Sequence, residues 1–262
     1  MSYEIELAAA RAAMARAGAK AFEYWRTGLA ADAKSDDSPV TAADRECERI
    51  LVQELCAQFP DDGILGEEGA EKPSSSGRRW IVDPIDGTRD FVRGNRLWSM
   101  LLALEDAGEV VVGVANFPAL GDMYWASKGA GAWRTPQKPD AGDAERLRAS
   151  VVKEVSEAVM CINSFTNIQR SGFSGRLLEW LRHFWAVRSM GGALDAMMIA
   201  AGSADGWLEQ SAKPWDLAAI KIIAEEAGAR FFNFDGGNSI YGGNCVLCTP
   251  ALETAMRRFV NS

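Results

Sequence analysis

The run Trp80-Ile81-Val82-Asp83-Pro84-Ile85-Asp86-Gly87-Thr88 constrains this chain more than any other stretch. An apolar segment ends in a carboxylate, and a second carboxylate follows three residues later inside a Pro/Gly turn. Pro84 lacks a backbone N–H and has a locked φ, so the expectation is that neither Asp runs along a continuing strand. A turn of this kind aims both side chains at one point. Two carboxylates held there repel unless a cation sits between them. All-oxygen ligands suit Mg²⁺, Mn²⁺ or Ca²⁺. Alone, Asp-x-x-Asp-Gly is more often a plain polar turn than a site. The Thr88 hydroxyl directly after Gly87 shifts the balance toward chemistry.

Composition narrows the classes. The 262 residues suffice for one large domain or two small ones that share a core. A net charge of -8 argues against nonspecific binding to nucleic acid or an anionic membrane. It also leaves bound cations to attract any anionic substrate. No apolar run approaches the ~20 residues that cross a bilayer. The stretch from Met1 to Ala19 is broken by Glu4, Glu6, Arg11 and Arg16, and reads as an amphipathic helix, not a signal peptide. Cys47, Cys56, Cys161, Cys245 and Cys248 lack scaffold spacing, and the single C-x-x-C has no second pair or His beside it. Buried reduced thiols in a cytoplasmic protein fit this pattern better than a zinc site. His183 is the only histidine and has no nucleophile motif nearby, so it reads as structural. No cysteine has Arg six positions later, which excludes the C-x5-R phosphatases.

Periodicity gives the organisation. Helices are expected over residues 3–25, 41–59, 172–183, 193–201, 215–227 and 251–261. A polar segment ending in Asp36-Asp37-Ser38-Pro39 separates the first two, and residues 71–79 read as a loop. Strands are expected at 80–82, 99–105, 110–117, 123–126, 132–133, 158–162, 184–187, 206–209, 230–232 and 245–248, with a short extended piece at 64–66. Asp106-Ala107-Gly108-Glu109 signals a hairpin. The polar stretch 134–150, with Pro136 and Pro139, marks a boundary between an N-terminal α+β half, 1–137, and a C-terminal α/β half, 138–262. Alternation in the second half implies helices packed on a mixed sheet.

Four further acids stand at the ends of elements. Asp44 follows Val40-Thr41-Ala42-Ala43, and Thr41-x-x-Asp44 is also a helix capping box. Glu67 follows Gly66 and, alone, is a solvated loop acid. Glu209 ends the strand Gly206-Trp207-Leu208. Asp216, in Lys213-Pro214-Trp215-Asp216, opens a helix whose dipole favours an acid there. Together, Glu67, Asp83, Asp86 and Asp216 offer enough oxygens for two or three Mg²⁺ ions, which suits phosphate ester hydrolysis without His or a covalent nucleophile.

The blocks Gly66-Glu67-Glu68, Asp83-Pro84-Ile85-Asp86-Gly87-Thr88 and Pro214-Trp215-Asp216-Leu217-Ala218-Ala219 resemble, in order and separation, those of the inositol monophosphatase family, and Val40-Thr41-Ala42-Ala43-Asp44 also matches. The resemblance implies an α/β (layered α+β) fold, an αβαβα sandwich, and Mg²⁺-dependent phosphomonoester hydrolysis, with Mn²⁺ as an alternative metal. It implies Glu67, Asp83 and the Ile85 carbonyl on one metal, Asp83, Asp86 and Asp216 on a second, and Glu67 orienting a third. Thr88, paired with Asp44, would activate the attacking water. Gly87 and Thr88 would offer N–H groups to the phosphate. Gly191, Gly192, Ala193, Glu209, Asp86 and Asp216 would contact the substrate. A homodimer is implied as well.

Within the family, Arg89-Asp90-Phe91-Val92-Arg93-Gly94-Asn95, Leu97-Trp98-Ser99, Asn116-Phe117-Pro118-Ala119-Leu120 and Tyr124-Trp125-Ala126 are most similar to the histidinol-phosphate phosphatase branch. Glu209 or Asp86 would pair with that substrate's ammonium group. The same carboxylates would accept hydroxyls of an inositol phosphate, and a nucleotide or sugar phosphate stays open. A haloacid-dehalogenase-type mechanism needs its acid Asp two residues after the nucleophile, where this chain has Ile85. A metal-binding relative without turnover is the remaining alternative, and it sits poorly with an intact set of acids and Thr88.

Overall fold

Alanines at helical spacing let the first helix approach its neighbours closely. The structure, a computed structural model, describes residues 2–28, 32–33, 39–136 and 144–261. α1 (Glu4–Thr27) buries Ala10, Ala13, Met14 and Ala17. A two-residue pair, β1 (Asp32–Ala33) with β2 (Pro39–Val40), leads to α2 (Ala42–Gln58). Next come β3 (Gly63–Gly66), β4 (Glu71–Lys72), β5 (Arg78–Asp86) and the short α3 (Thr88–Val92). A meander follows: β6 (Ser99–Asp106), β7 (Glu109–Phe117), β8 (Asp122–Ser127), β9 (Gly131–Pro136) and β10 (Glu145–Arg146). β3 to β10 form one eight-stranded sheet in the order β10-β9-β8-β7-β6-β5-β3-β4. The hairpin at 106–109 is present, with Ala107 and Gly108 both at positive φ (50° and 81°), as a type I′ turn requires.

The second half runs β11 (Val159–Ile162), α4 (Phe165–Ile168), α5 (Leu177–Leu181), β12 (Ala186–Arg188), α6 (Gly192–Ala200) and β13 (Gly206–Glu209). It ends with α7 (Pro214–Glu226), β14 (Arg230–Phe232), β15 (Cys245–Cys248) and α8 (Glu253–Val260). Its five strands pair in the order β12-β11-β13-β15-β14. Three apolar clusters glue the layers. α1 and α2 cover one face of the large sheet through Met14, Leu51, Leu55, Trp80 and Val82. α6 and α7 fill the space between the sheets with Ala196, Ile199, Leu217 and Ile222 against Ile81, Leu101, Trp207 and Leu247. Phe173, Leu177 and Phe259 cover the outer face of the small sheet. The result is the expected αβαβα sandwich. Among the described residues, no helix is long and apolar enough to cross a membrane.

Three expectations need correction. β5 does not stop at Asp83. It runs to Asp86, pairing Asp83 with Leu101 and Asp86 with Ser99, so three steps on β5 match two on β6. Pro84 lies in that bulge, where a missing ladder donor costs little. The loop at 71–79 contains β4 and the start of β5. The helix at 172–183 is a 3₁₀ turn, Ser174–Arg176, followed by a single α segment at 177–181. The boundary at 137/138 and the segment Asp36-Asp37-Ser38 lie outside the described residues.

α7 rides very close on β7. A Cβ at Gly113 would lie 2.5 Å from Ile222 Cγ2 and 2.8 Å from the Ala219 carbonyl oxygen. Gly113→Val should therefore lower the unfolding free energy in urea by about 1–3 kcal/mol through overpacking. An unchanged midpoint would mean that α7 is not seated on β7 as described.

Candidate active site

The bulge decides where the acids point. On a regular strand, residues three apart face opposite sides of the sheet. Trp80 and Val82 face α1 and α2, while Ile81 faces α6 and α7. Asp83 shares the face of Ile81. The extra residue reverses the alternation, so Ile85 packs in the α1–α2 cluster and Asp86 returns to the face of Asp83. Pairing of β3 with β5 is parallel, with Gly66 opposite Val82, and this sets Glu67 beside Asp83. α7 presents Asp216 from its first turn on the same side.

Asp83, Asp86 and Asp216 each bring one carboxylate oxygen within 4.8 Å of the others. Oxygens on opposite sides of one Mg²⁺ sit about 4 Å apart, so this is the scale of one cation or a bridged pair. Asp83 is 1% exposed, and its Oδ1 has no hydrogen-bond partner. A buried carboxylate oxygen left this way is costly, and a hard cation would satisfy it. Burial first, then the neighbouring charges of Glu67, Asp86 and Asp216, hold the Asp83 carboxyl well above the usual range. Asp86 is pushed up to about 6, mainly by burial, against the Ser99 hydroxyl (3.0 Å) and the Ala193 N–H, which donate to it. Asp216 is pushed up to about 8 by burial and then by Asp86, although the Lys213 N–H donates to it at 2.6 Å. Glu67 stands within hydrogen-bond reach of Asp83, outside the three-acid cluster.

Asp44 answers both readings of its position. Its Oδ2 accepts from the N–H and hydroxyl of Thr41 and caps α2. Its Oδ1 faces Thr88, whose hydroxyl stands 3.5 Å from it and 3.2 Å from the Ile85 carbonyl oxygen. Desolvation, partly offset by Thr41, raises the Asp44 carboxyl above its ordinary value. Gly87 adopts φ 82°, which lets the chain leave β5 and enter α3 at once.

Glu67, Asp86 and Asp216, though not Asp83 or Asp44, line a cavity of about 440 Å³ together with Gly87, Thr88, Gly191, Gly192, Ala193 and Glu209. All the anticipated substrate-contacting positions therefore meet there. Gly191 needs glycine, with φ 115°. Burial raises the Glu209 carboxyl, although it accepts from Asn163 Nδ2 (2.7 Å) and the Ser211 N–H (3.2 Å). Asn163 and Ser164 line the cavity and were absent from the sequence reading. The signal for them lies in topology: β11 and β13 are parallel, with Ile162 opposite Leu208, so Asn163 emerges beside Glu209.

A layered α/β sandwich whose carboxylates gather over one sheet end is the architecture of a metal-dependent phosphatase class. The model of the inositol monophosphatase family matches residues 3–261, and the chain belongs to that family. It is a phosphoric monoester hydrolase. A histidinol-phosphatase from Chlorobaculum parvum is 39% identical over 87% of this chain and 85% of its own length. An inositol-1-monophosphatase from Rhizobium meliloti is 37% identical over 80% and 77%. The solved Thermotoga maritima IMPase superposes with a TM-score of 0.85 at 30% identity, covering 99% of this chain and 97% of that one.

Protonated acids stabilise the cluster when no cation is bound. Asp216 is raised from 3.8 to about 8, so its contribution is complete below 3.8 and gone once pH rises through about 8. Asp83 and Asp86 act in the same direction. In EDTA, Tm should fall from about pH 5 to about pH 8.5, and Mg²⁺ should raise Tm more at the upper pH, where it replaces lost protons. A Tm in EDTA that climbs over this range would contradict the assigned cluster.

Proposed function

We propose that this site hydrolyses a small phosphate monoester with Mg²⁺, and that the substrate is L-histidinol phosphate. The convergence of Asp83, Asp86 and Asp216, together with the unpartnered Asp83 Oδ1, carries the reading. Glu67, Asp83, Asp86, Asp216 and the Ile85 carbonyl are the residues that would hold two or three Mg²⁺ ions, with Mn²⁺ as the alternative metal. Bound Mg²⁺ lowers the pKa of water and neutralises charge on phosphate oxygens.

The chain's own residues supply the rest. The Thr88 hydroxyl donates to Asp44 Oδ1 and accepts from the attacking water, so the proton path runs from water toward Asp44. A buried carboxyl with a raised pKa is suited to that acceptance. Gly87 and Thr88 turn their N–H groups to the phosphate. Once the ligand acids are neutralised by cations, Glu209 remains as a buried anion beside Gly191, Gly192 and Ala193. It accepts a hydrogen bond from the substrate's ammonium group.

The two halves, 1–137 and 138–262, act here as one catalytic unit, because the first carries Glu67, Asp83 and Asp86 and the second Asp216. The inositol ester is the second reading. It rests on the 37% relative and on the capacity of Glu209 and Asn163 to bond hydroxyls.

Phosphate release from L-histidinol phosphate and from myo-inositol 1-phosphate, each with Mg²⁺ and with EDTA, tests the reading directly. A Mg²⁺-dependent preference for histidinol phosphate is expected, and preference for the inositol ester would replace it with the second reading. Glu209→Gln should raise KM for histidinol phosphate about tenfold or more, with a much smaller effect on the inositol ester. Thr88→Ala should lower kcat by about 100-fold or more while leaving KM nearly unchanged. An effect on KM alone would remove Thr88 from the water-activating role.

A further inference from the structure

The turn that carries Glu67 is held by a side chain outside the proposed chemistry. Glu48 follows Asp44 by one helical turn on α2 and is 5% exposed. A carboxylate this deeply buried needs hydrogen bonds to be tolerated. Glu48 Oε2 accepts from the Glu68 N–H at 2.9 Å, and Oε1 accepts from the Ala70 N–H at 3.0 Å. The turn has two other backbone anchors. Glu67 N–H donates to the Val82 carbonyl at 3.1 Å, and Gly66 N–H donates to the Ala70 carbonyl at 2.7 Å.

Glu67 is therefore pinned between β5, one residue before Asp83, and the Glu48 carboxylate. The close approach also accounts for Gly66: a Cβ there would lie 2.2 Å from Glu48 Oε2.

We propose that Glu48 is a positioning residue for the cation site, setting the Glu67 carboxylate against Asp83 through the 68–70 backbone. This rests on the metal-dependent reading above. Both N–H groups need an acceptor, and only a carboxylate supplies two from one side chain. A glutamine offers one oxygen and turns its NH₂ toward the other N–H, so one anchor is lost. Asp44 and Glu48 share one helix face, so the group that faces Thr88 and the group that holds Glu67 are placed by the same rigid element.

Calorimetric Mg²⁺ titration and melting in EDTA test this on the full chain, with Glu48→Gln, Gly66→Ala and Glu46→Gln. Glu46 pairs with Arg49 and serves as the control. Gly66→Ala presses on the same carboxylate from the other side and keeps its charge. Glu48→Gln and Gly66→Ala should each weaken Mg²⁺ binding by the folded chain about 10- to 100-fold, whatever overpacking or the lost anchor does to Tm in EDTA, and Glu46→Gln should change neither. Wild-type Mg²⁺ affinity in both variants, or a lowered Tm in EDTA as their only effect, would overturn the positioning role. A wild-type chain that binds no Mg²⁺ would overturn the metal-dependent reading and this role with it.

Discussion

Strand alternation forbids Asp83 and Asp86 from sharing a face, and one extra residue reverses that rule. The bulge at Pro84 restores Asp86 to the side of the sheet on which Asp83 and α7 lie. Without it, Asp86 would point into the α1–α2 cluster, where Ile85 now packs. Like charges so close together oppose folding, and burial adds to the cost. The surrounding structure offsets this by imposing the positions from several directions: the parallel β3–β5 pair for Glu67, the meander for Asp86 and the first turn of α7 for Asp216.

Much of this was legible in the chain. The acids were readable because each stands where an apolar run breaks, and most strands and long helices followed from period-2 and period-3.6 patterns. The behaviour of Pro84 was misread because proline excludes a regular central strand but is admitted at a bulge, and a bulge leaves no local mark in a sequence. The 172–183 segment failed for a related reason. Its apolar residues suit a helix, yet the described chain there breaks into a 3₁₀ turn and a short α segment that seat Phe173 and Leu177 on the small sheet.

Asn163 and Ser164 show a different limit. Nothing in Asn163-Ser164-Phe165 announces a site. They reach Glu209 because β11 and β13 are parallel neighbours, a pairing between residues 46 apart for Asn163 and Glu209. Asp44 lies between these cases. Its capping and facing roles competed as explanations of one motif, and the structure divides them between two oxygens of one carboxylate.

α7 is the common wall of both sheets, seated on β7 through Gly113 on one side and sharing the inter-sheet cluster with Trp207 and Leu247 on the other. The acid at its first turn is thus held by the packing of α7 between the sheets, and the end of the loop after β13 adds to this, with Ala212 in the inter-sheet cluster and the Lys213 N–H donating to Asp216. Those loops supply Asn163, Ser164 and Ser211 around Glu209. The architecture separates two kinds of variation. On the proposed reading of the site, substitutions at Asn163, Ser164 or Ser211 would alter which organic group is accepted while the spacing of the acids is kept, so one scaffold would be open to diversification in what it recognises without renewed selection for how it cuts.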